Sequence, residues 1–219
     1  MRRPPASAAI VGLTVACSVV TALPLPDRRY SQYVWQAGVD SFLRTHAAEH
    51  RDSPFFLFYA LQTVHSPLEA PAGLEDHPAC ASIPDPDRRT YCAMVLVTDA
   101  MVENTFAVLG DTGLDDTTLV LFSADNGGNP SYGGYNMPLR GRKGSVFEGG
   151  VRSAAFVWGK MLPEAVRGTS FTGLIHLTDW LPTFMGTSSF INTFFILATL
   201  SWMGGGIRRR WVLPSPVCA

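Results

Sequence analysis

Two stretches of the chain bring together residues able to handle a small anion and its counter-charge. In "LVLFSADNGG", Leu119 to Gly128, an apolar run stops at Asp125 and Asn126, followed by Gly127 and Gly128. Adjacent carboxylate and amide oxygens suit a hard cation such as calcium, and the glycines let the backbone turn sharply. Two donors fall short of the roughly 6 to 8 oxygens that calcium takes. Asp-Asn-Gly is also ordinary turn chemistry, so both readings stand at this point. In "PLRGRKGSVFEGGVR", Pro138 to Arg152, the cations Arg140, Arg142, Lys143 and Arg152 alternate with Gly141, Gly144, Gly149 and Gly150. Glycines let backbone amides approach a ligand, and clustered cations suit a small oxyanion. For the arginines singly, a solvated basic loop is the better reading. Lys143 differs because glycines flank it closely. His65 leaves the apolar run "FFLFYALQ" just before Ser66-Pro67. A lone histidine is usually structural, but at a strand exit it could hydrogen-bond an anionic ester or protonate a leaving oxygen.

These residues need a scaffold that delivers several chain exits to one place. "SQYVWQAGVDSFLRTHAA", Ser31 to Ala48, has helical spacing through Val34, Ala37 and Phe42 and leads into Pro54. "FFLFYALQ" has no polar alternation and reads as a strand buried on both faces. "TYCAMVLVTDAMVENTFAVLGDTG" reads as a long helix with Thr98, Asp99, Glu103 and Asn104 on its polar face, stopping at Gly110 or Gly113. "TTLVLFSA" and "SAAFVW" supply further strands, and "TDWLPTFM", Thr178 to Met185, a short helix. Strand, helix, strand in this order predicts an α/β layered domain with parallel neighbours. In such sheets ligands sit outside the carboxyl ends of the strands, where His65 and Asp125 both fall.

At 219 residues and 47% hydrophobic composition the chain is long and apolar enough for one sizeable folded domain. Its 17 Lys and Arg nearly balance 18 Asp and Glu, which removes any general attraction to nucleic acid or anionic membrane. Residues 1–26, with Arg2, Arg3, an apolar run from Ala8 to Leu23 and the small-residue pattern Val20-Thr21-Ala22, have the layout of a secretory signal peptide. An uncleaved anchor is the alternative. In a secreted chain Cys80 and Cys92 could close a disulfide; the competing reading is a buried Cys92 with a free loop thiol at Cys80. His46-Ala-Ala-Glu49-His50 matches a zinc-protease pattern, but no helix offers a third acidic ligand and zinc is not expected. Residues 187–219 turn apolar, then glycine-rich, then basic at Arg208, Arg209 and Arg210. They read either as a membrane span with a cytoplasmic stop or as an extension foreign to the domain.

Taken in order, "PFFLFYALQTVHSPLEAP", "TYCAMVLVTDAMVENT", "LVLFSADNGG", "MPLRGRKGSVFEGGVRSAAFVW" and "LIHLTDWLPTF" resemble the sulfatases, most closely their arylsulfatase B-like branch, from about Tyr30 to Gly186. The resemblance implies an alkaline-phosphatase-like α/β fold with a mostly parallel sheet, a bound calcium ion and hydrolysis of sulfate esters of carbohydrates or aryl alcohols. By position, Asp125 and Asn126 correspond to calcium ligands. His65 corresponds to the histidine that contacts the sulfate and assists the leaving group, and Lys143 to the lysine that binds the same sulfate. On this reading residues 27–186 are a partial catalytic domain in the secretory pathway. The family's nucleophile is a formylglycine made from a Cys-x-Pro-x-Arg or Ser-type motif, and none of Cys17, Cys80, Cys92 or Cys218 starts one. The expectation is therefore a sulfate-binding site without its attacking group, in a sheet missing its first strands. The competing expectation is a non-catalytic relative that binds calcium or sulfated glycans.

Overall fold

The computed structural model describes residues 30–187 and the backbone of 193–199. The leader, the triple arginine, Cys17 and Cys218 lie outside the described residues.

Helix α1, Ser31–Glu49, forms where the spacing predicts it, but a different stripe faces inward. Gln32, Gln36, Val39, Leu43 and His46 are buried, at separations of three and four that stack on one face. Ala37 is exposed, and Val34 and Phe42 are only partly covered. Two glutamines occupy this face with their amide nitrogens paired, although Gln32 Oε1 has no hydrogen-bond partner among the described residues. Gln32 donates to Gln62 Oε1 at 3.3 Å, while Gln36 donates to Asp40 Oδ1 at 2.8 Å and to Thr105 Oγ1 at 3.3 Å. Burying an amide is tolerable only with such partners.

Helix α2, Pro86–Thr112, begins four residues before the run Thr90 to Gly113 predicted for it. Asp85 caps it, its carboxylate accepting from Arg88 N–H at 2.8 Å, and Pro86 takes the first helical position, where its missing N–H costs nothing. Gly113, at φ 66°, ends it in the left-handed conformation that glycine adopts freely. Met94, Val97, Met101, Thr105 and Val108 recur at three and four and are buried.

Strands β1 (Phe55–Leu61), β2 (Thr118–Ala124), β3 (Ala155–Trp158) and β4 (Thr193–Thr199) form one sheet in the order β1-β4-β2-β3. β4, drawn from the apolar tail, pairs in parallel with both β1 and β2 over seven residues each. β3 pairs antiparallel with β2, contrary to the parallel neighbour predicted for it. Its connection from β2 holds only the four-residue helix α3, Glu148–Val151, instead of a crossover helix. A parallel return needs such a crossover; without it the chain re-enters the sheet from the end it left.

Helices α1 and α2 cover one face of the sheet through Val39, Leu43, Leu57, Tyr59, Met101 and Phe122. On the other face Leu119 and Leu121 pack against Phe184 of α4, Trp180–Thr187, with Met161, Leu162 and Trp180 alongside. β2 is therefore buried on both sides. β1 is not: Phe58 remains 45% exposed, because this second layer reaches β2 and stops short of β1. The expectation of a β1 strand buried on both faces is corrected accordingly.

Candidate functional site

β1 ends at Leu61, and the exit is anchored before it reaches His65. Thr98 Oγ1 of α2 donates to Thr63 Oγ1 at 2.8 Å, in the interior, and Val64 packs against Tyr91 and Met94. The exposed imidazole thus stands on a buried base. His65 Nδ1 lies 2.8 Å from the Ser66 carbonyl oxygen. A carbonyl only accepts, so Nδ1 carries the hydrogen and Nε2 presents its lone pair. Lys143 Nζ sits 3.3 Å from that Nε2, across 78 residues of sequence.

The β2 exit is built against the basic loop backbone to backbone. Gly127 N–H donates to Gly150 O at 2.9 Å, Lys143 N–H to Gly128 O at 3.2 Å and Gly149 N–H to Arg140 O at 2.7 Å. A Cβ on Gly127 would lie 1.8 Å from Gly149 O, a separation no side chain can occupy. Glycine here serves close approach, and the approach carries Lys143 toward Asp125. The Asp125 carboxyl is held above its ordinary value because partial burial opposes its charge. The Asn126 backbone N–H, the Lys143 ammonium and His65 oppose that rise. Both side chains therefore act on the same carboxylate, and the three groups face one mouth at the carboxyl ends of β1 and β2.

The remaining cations of the loop do not join them. Arg140 stacks over the Phe147 ring at 4.0 Å, Arg142 reaches Asn129 Oδ1 at 3.4 Å and Arg152 lies 3.7 Å from Glu148 at the surface. Cys80 and Cys92 are joined in a disulfide that ties the Pro-rich loop to α2. His46 of the zinc-like pattern is buried, with Nε2 3.0 Å from Ser53 O and its ring 4.6 Å from that of Phe55.

Calcium chemistry is matched only in part. Asn126 turns its amide nitrogen to Gly127 O at 2.9 Å, which leaves Oδ1 as its ligand atom beside the Asp125 carboxylate. Among the described residues no group of three or more His, Cys, Asp and Glu side chains is placed to hold an ion. Two oxygens do not fill a calcium shell, so the described residues alone do not fit the ion.

Two residues of the site have no individual signal in the sequence. Asn136 is buried and bonds to both loops: its Oδ1 accepts from Gly128 N–H at 2.9 Å, while its Nδ2 donates to Gly128 O at 2.8 Å and Gly141 O at 3.2 Å. Tyr91 of α2 is 2% exposed, with a hydroxyl that has no hydrogen-bond partner. Burial, aided by the Asp125 charge and opposed by Arg88, pushes the phenol up and keeps it protonated. The only hint for either was position: an amide set among glycines before Pro138, and a tyrosine on the inner face of α2.

Comparison with known proteins identifies the family. The family model described as Sulfatase matches residues 16–189. The chain belongs to the sulfatase family. Mouse arylsulfatase J is 40% identical over 154 residues, 70% of this chain and 25% of that protein. Bovine arylsulfatase A is 36% identical over 114 residues, 51% and 21% of the two chains, and rat N-acetylgalactosamine-6-sulfatase 33% over 136 residues, 60% and 24%. The chain spans about a quarter of the length of these curated relatives. A crystal structure of Ps i-CgsB in complex with k-i-k-neocarrahexaose superposes with a TM-score of 0.68 at 30% identity, covering 75% of this chain and 35% of that one. With the family match and this structural neighbour together, the α/β, alkaline-phosphatase-like fold class is established for the described part.

Proposed function

We propose that this sulfatase-family chain carries the sulfate-binding part of a sulfuric ester hydrolase site, for sulfated carbohydrate or aryl sulfate esters. The observation that carries the reading is the 3.3 Å approach of Lys143 Nζ to His65 Nε2 beside Asp125. Lys143 supplies a point charge for a sulfate oxygen, where an ammonium binds without fixed geometry. His65, oriented through Nδ1 by the Ser66 carbonyl, offers Nε2 for proton movement to or from an ester oxygen. Opposite charge concentrated where the leaving oxygen becomes negative lowers the barrier to cleavage. Asp125 and Asn126 offer oxygen-bearing side chains to a hard cation, too few by themselves for calcium. The arylsulfatase and N-acetylgalactosamine-6-sulfatase relatives, and the oligosaccharide named with Ps i-CgsB, support the substrate class.

A second reading, a non-catalytic protein binding sulfated glycans or calcium, draws on the cysteines. Cys80 and Cys92, the cysteines among the described residues, are tied to each other and offer no attacking thiolate. The signal-like leader and the disulfide support a place in the secretory pathway. Incubation of the full chain with a chromogenic aryl sulfate separates the two readings. Absence of turnover together with sulfate binding supports a binding-only chain, whereas turnover restores the hydrolase in full. Failure to bind sulfate at all sinks the hydrolase reading and the sulfated-glycan reading alike.

A further inference from the structure

The Lys143 side chain sits on a loop, and a loop places a charge well only if something fixes its backbone. Three of the groups doing so converge on Gly128, three residues beyond Asp125. Gly128 N–H donates to Asn136 Oδ1, and Gly128 O accepts from both Asn136 Nδ2 and Lys143 N–H. The same Asn136 amide reaches across to Gly141 O, two residues before Lys143. Asn136 is 8% exposed and Gly128 is buried, so water cannot replace these bonds without opening the loop. Gly141 is itself at φ 99°, and a Cβ there would lie 2.5 Å from Ser145 Oγ, so this turn has one tight backbone path.

We propose that Asn136 is a positioning residue: its amide locks the Gly128 and Gly141 backbones together and thereby holds the Lys143 ammonium beside His65 and Asp125. The inference rests on the sulfate-binding reading of those three residues. Asn136 lies one shell behind the mouth and acts on the anion only through Lys143. Asparagine suits the role because one planar amide both accepts and donates twice. Aspartate would keep the bond to Gly128 N–H and lose both donations, turning a carboxylate toward two carbonyl oxygens. Serine or alanine would leave Gly128 N–H without its acceptor.

The test is a double-mutant cycle on the full chain with inorganic sulfate as the probe, read by calorimetric titration. Asn136→Ala weakens sulfate binding by about tenfold, the size expected for a lost buried hydrogen-bonded contact. In a Lys143→Ala background the same substitution makes no further difference, because the charge it positions is gone. An equal loss in both backgrounds, or no loss in either, overturns the proposal. If the Asn136 variants fail to fold, amide hydrogen exchange on the unaltered chain takes their place. Slow, matched exchange of the Lys143 and Gly128 amides supports the clamp, and exchange of the Lys143 amide at the rate of an open loop overturns it. Should the unaltered chain not bind sulfate, the sulfate reading fails by itself. The clamp is then judged by whether Asn136→Asp abolishes the protection of the Lys143 amide.

Discussion

His46 and His65 stand in two regions that treat polar groups in opposite ways. On the helix-backed face, buried polar atoms have partners close by: His46 with the Ser53 carbonyl, Gln36 with Asp40 and Thr105, Thr98 with Thr63. At the mouth, His65 and Lys143 are solvent-accessible and face each other and Asp125. The first arrangement stabilises the fold by pairing these buried groups. The second leaves an ammonium beside an imidazole lone pair and a carboxyl above its ordinary range, an arrangement suited to receiving an ion. One histidine therefore serves the fold and the proposed sulfate site assigns the other to binding, although the two cannot be told apart by residue identity.

The sharpest separation comes from truncating the helix-backed core. Leu43 is fully buried between α1 and the sheet, and Leu43→Ala should cost about 2 to 5 kcal/mol in chemical denaturation. Sulfate affinity of the fraction that stays folded should remain at the level of the unaltered chain.

A smaller effect of mixed character is expected at Gly127, which is part of the mouth yet packed as tightly as any core residue. The contact of a new Cβ with Gly149 O forces the two loops apart, at a cost of about 1 to 3 kcal/mol in Gly127→Ala. Unlike the leucine truncation, it should also weaken sulfate binding, since the same backbone contact carries Lys143. A variant with normal affinity would show that the glycine seam does not position the lysine.

Acid should act on the helix-backed histidine. Burial holds the folded His46 below its ordinary value of 6.5, so between that value and the folded one the unfolded chain binds the extra proton. The contribution of a neutral His46 is fully present above pH 6.5 and is lost as the pH falls through this window. Thermal denaturation at a series of pH values should show this slope, and His46→Gln, which keeps a donor for Ser53 O but cannot titrate, should flatten it. The smallest effect on stability belongs to Lys143→Ala, expected within about 0.5 kcal/mol of the unaltered chain by denaturation. Its sulfate binding should nonetheless weaken, and by more than in Asn136→Ala.

How much of this was legible in the sequence follows the same division. Regular periodicity located α1, α2, β1, β2 and β3, and strand exits pointed to His65 and Asp125 before any geometry was known. The inward face of α1 was misplaced because Gln32 and Gln36 count as polar in any hydropathy pattern, and only their distant partners make burial acceptable. The direction of β3 was misjudged because pairing direction depends on the connection, and the glycine loops between Asn126 and Arg152 carry no periodic signal. β4 was unreadable as a sheet member, since an apolar heptad in a tail fits a membrane as well as a slot between β1 and β2. Asn136 escaped for the reason that makes it interesting: its role is set by two carbonyls and an N–H of glycines brought near by the fold.

The central claim is that one tetrahedral anion is held jointly by the exits of β1 and β2. A crystal structure of the full chain grown with selenate, located by its anomalous signal, tests it directly. The account predicts selenium within hydrogen-bonding reach, through its oxygens, of both His65 Nε2 and Lys143 Nζ. Selenate bound instead at Arg140, Arg142 or Arg152, with the mouth between His65 and Asp125 empty, would contradict it.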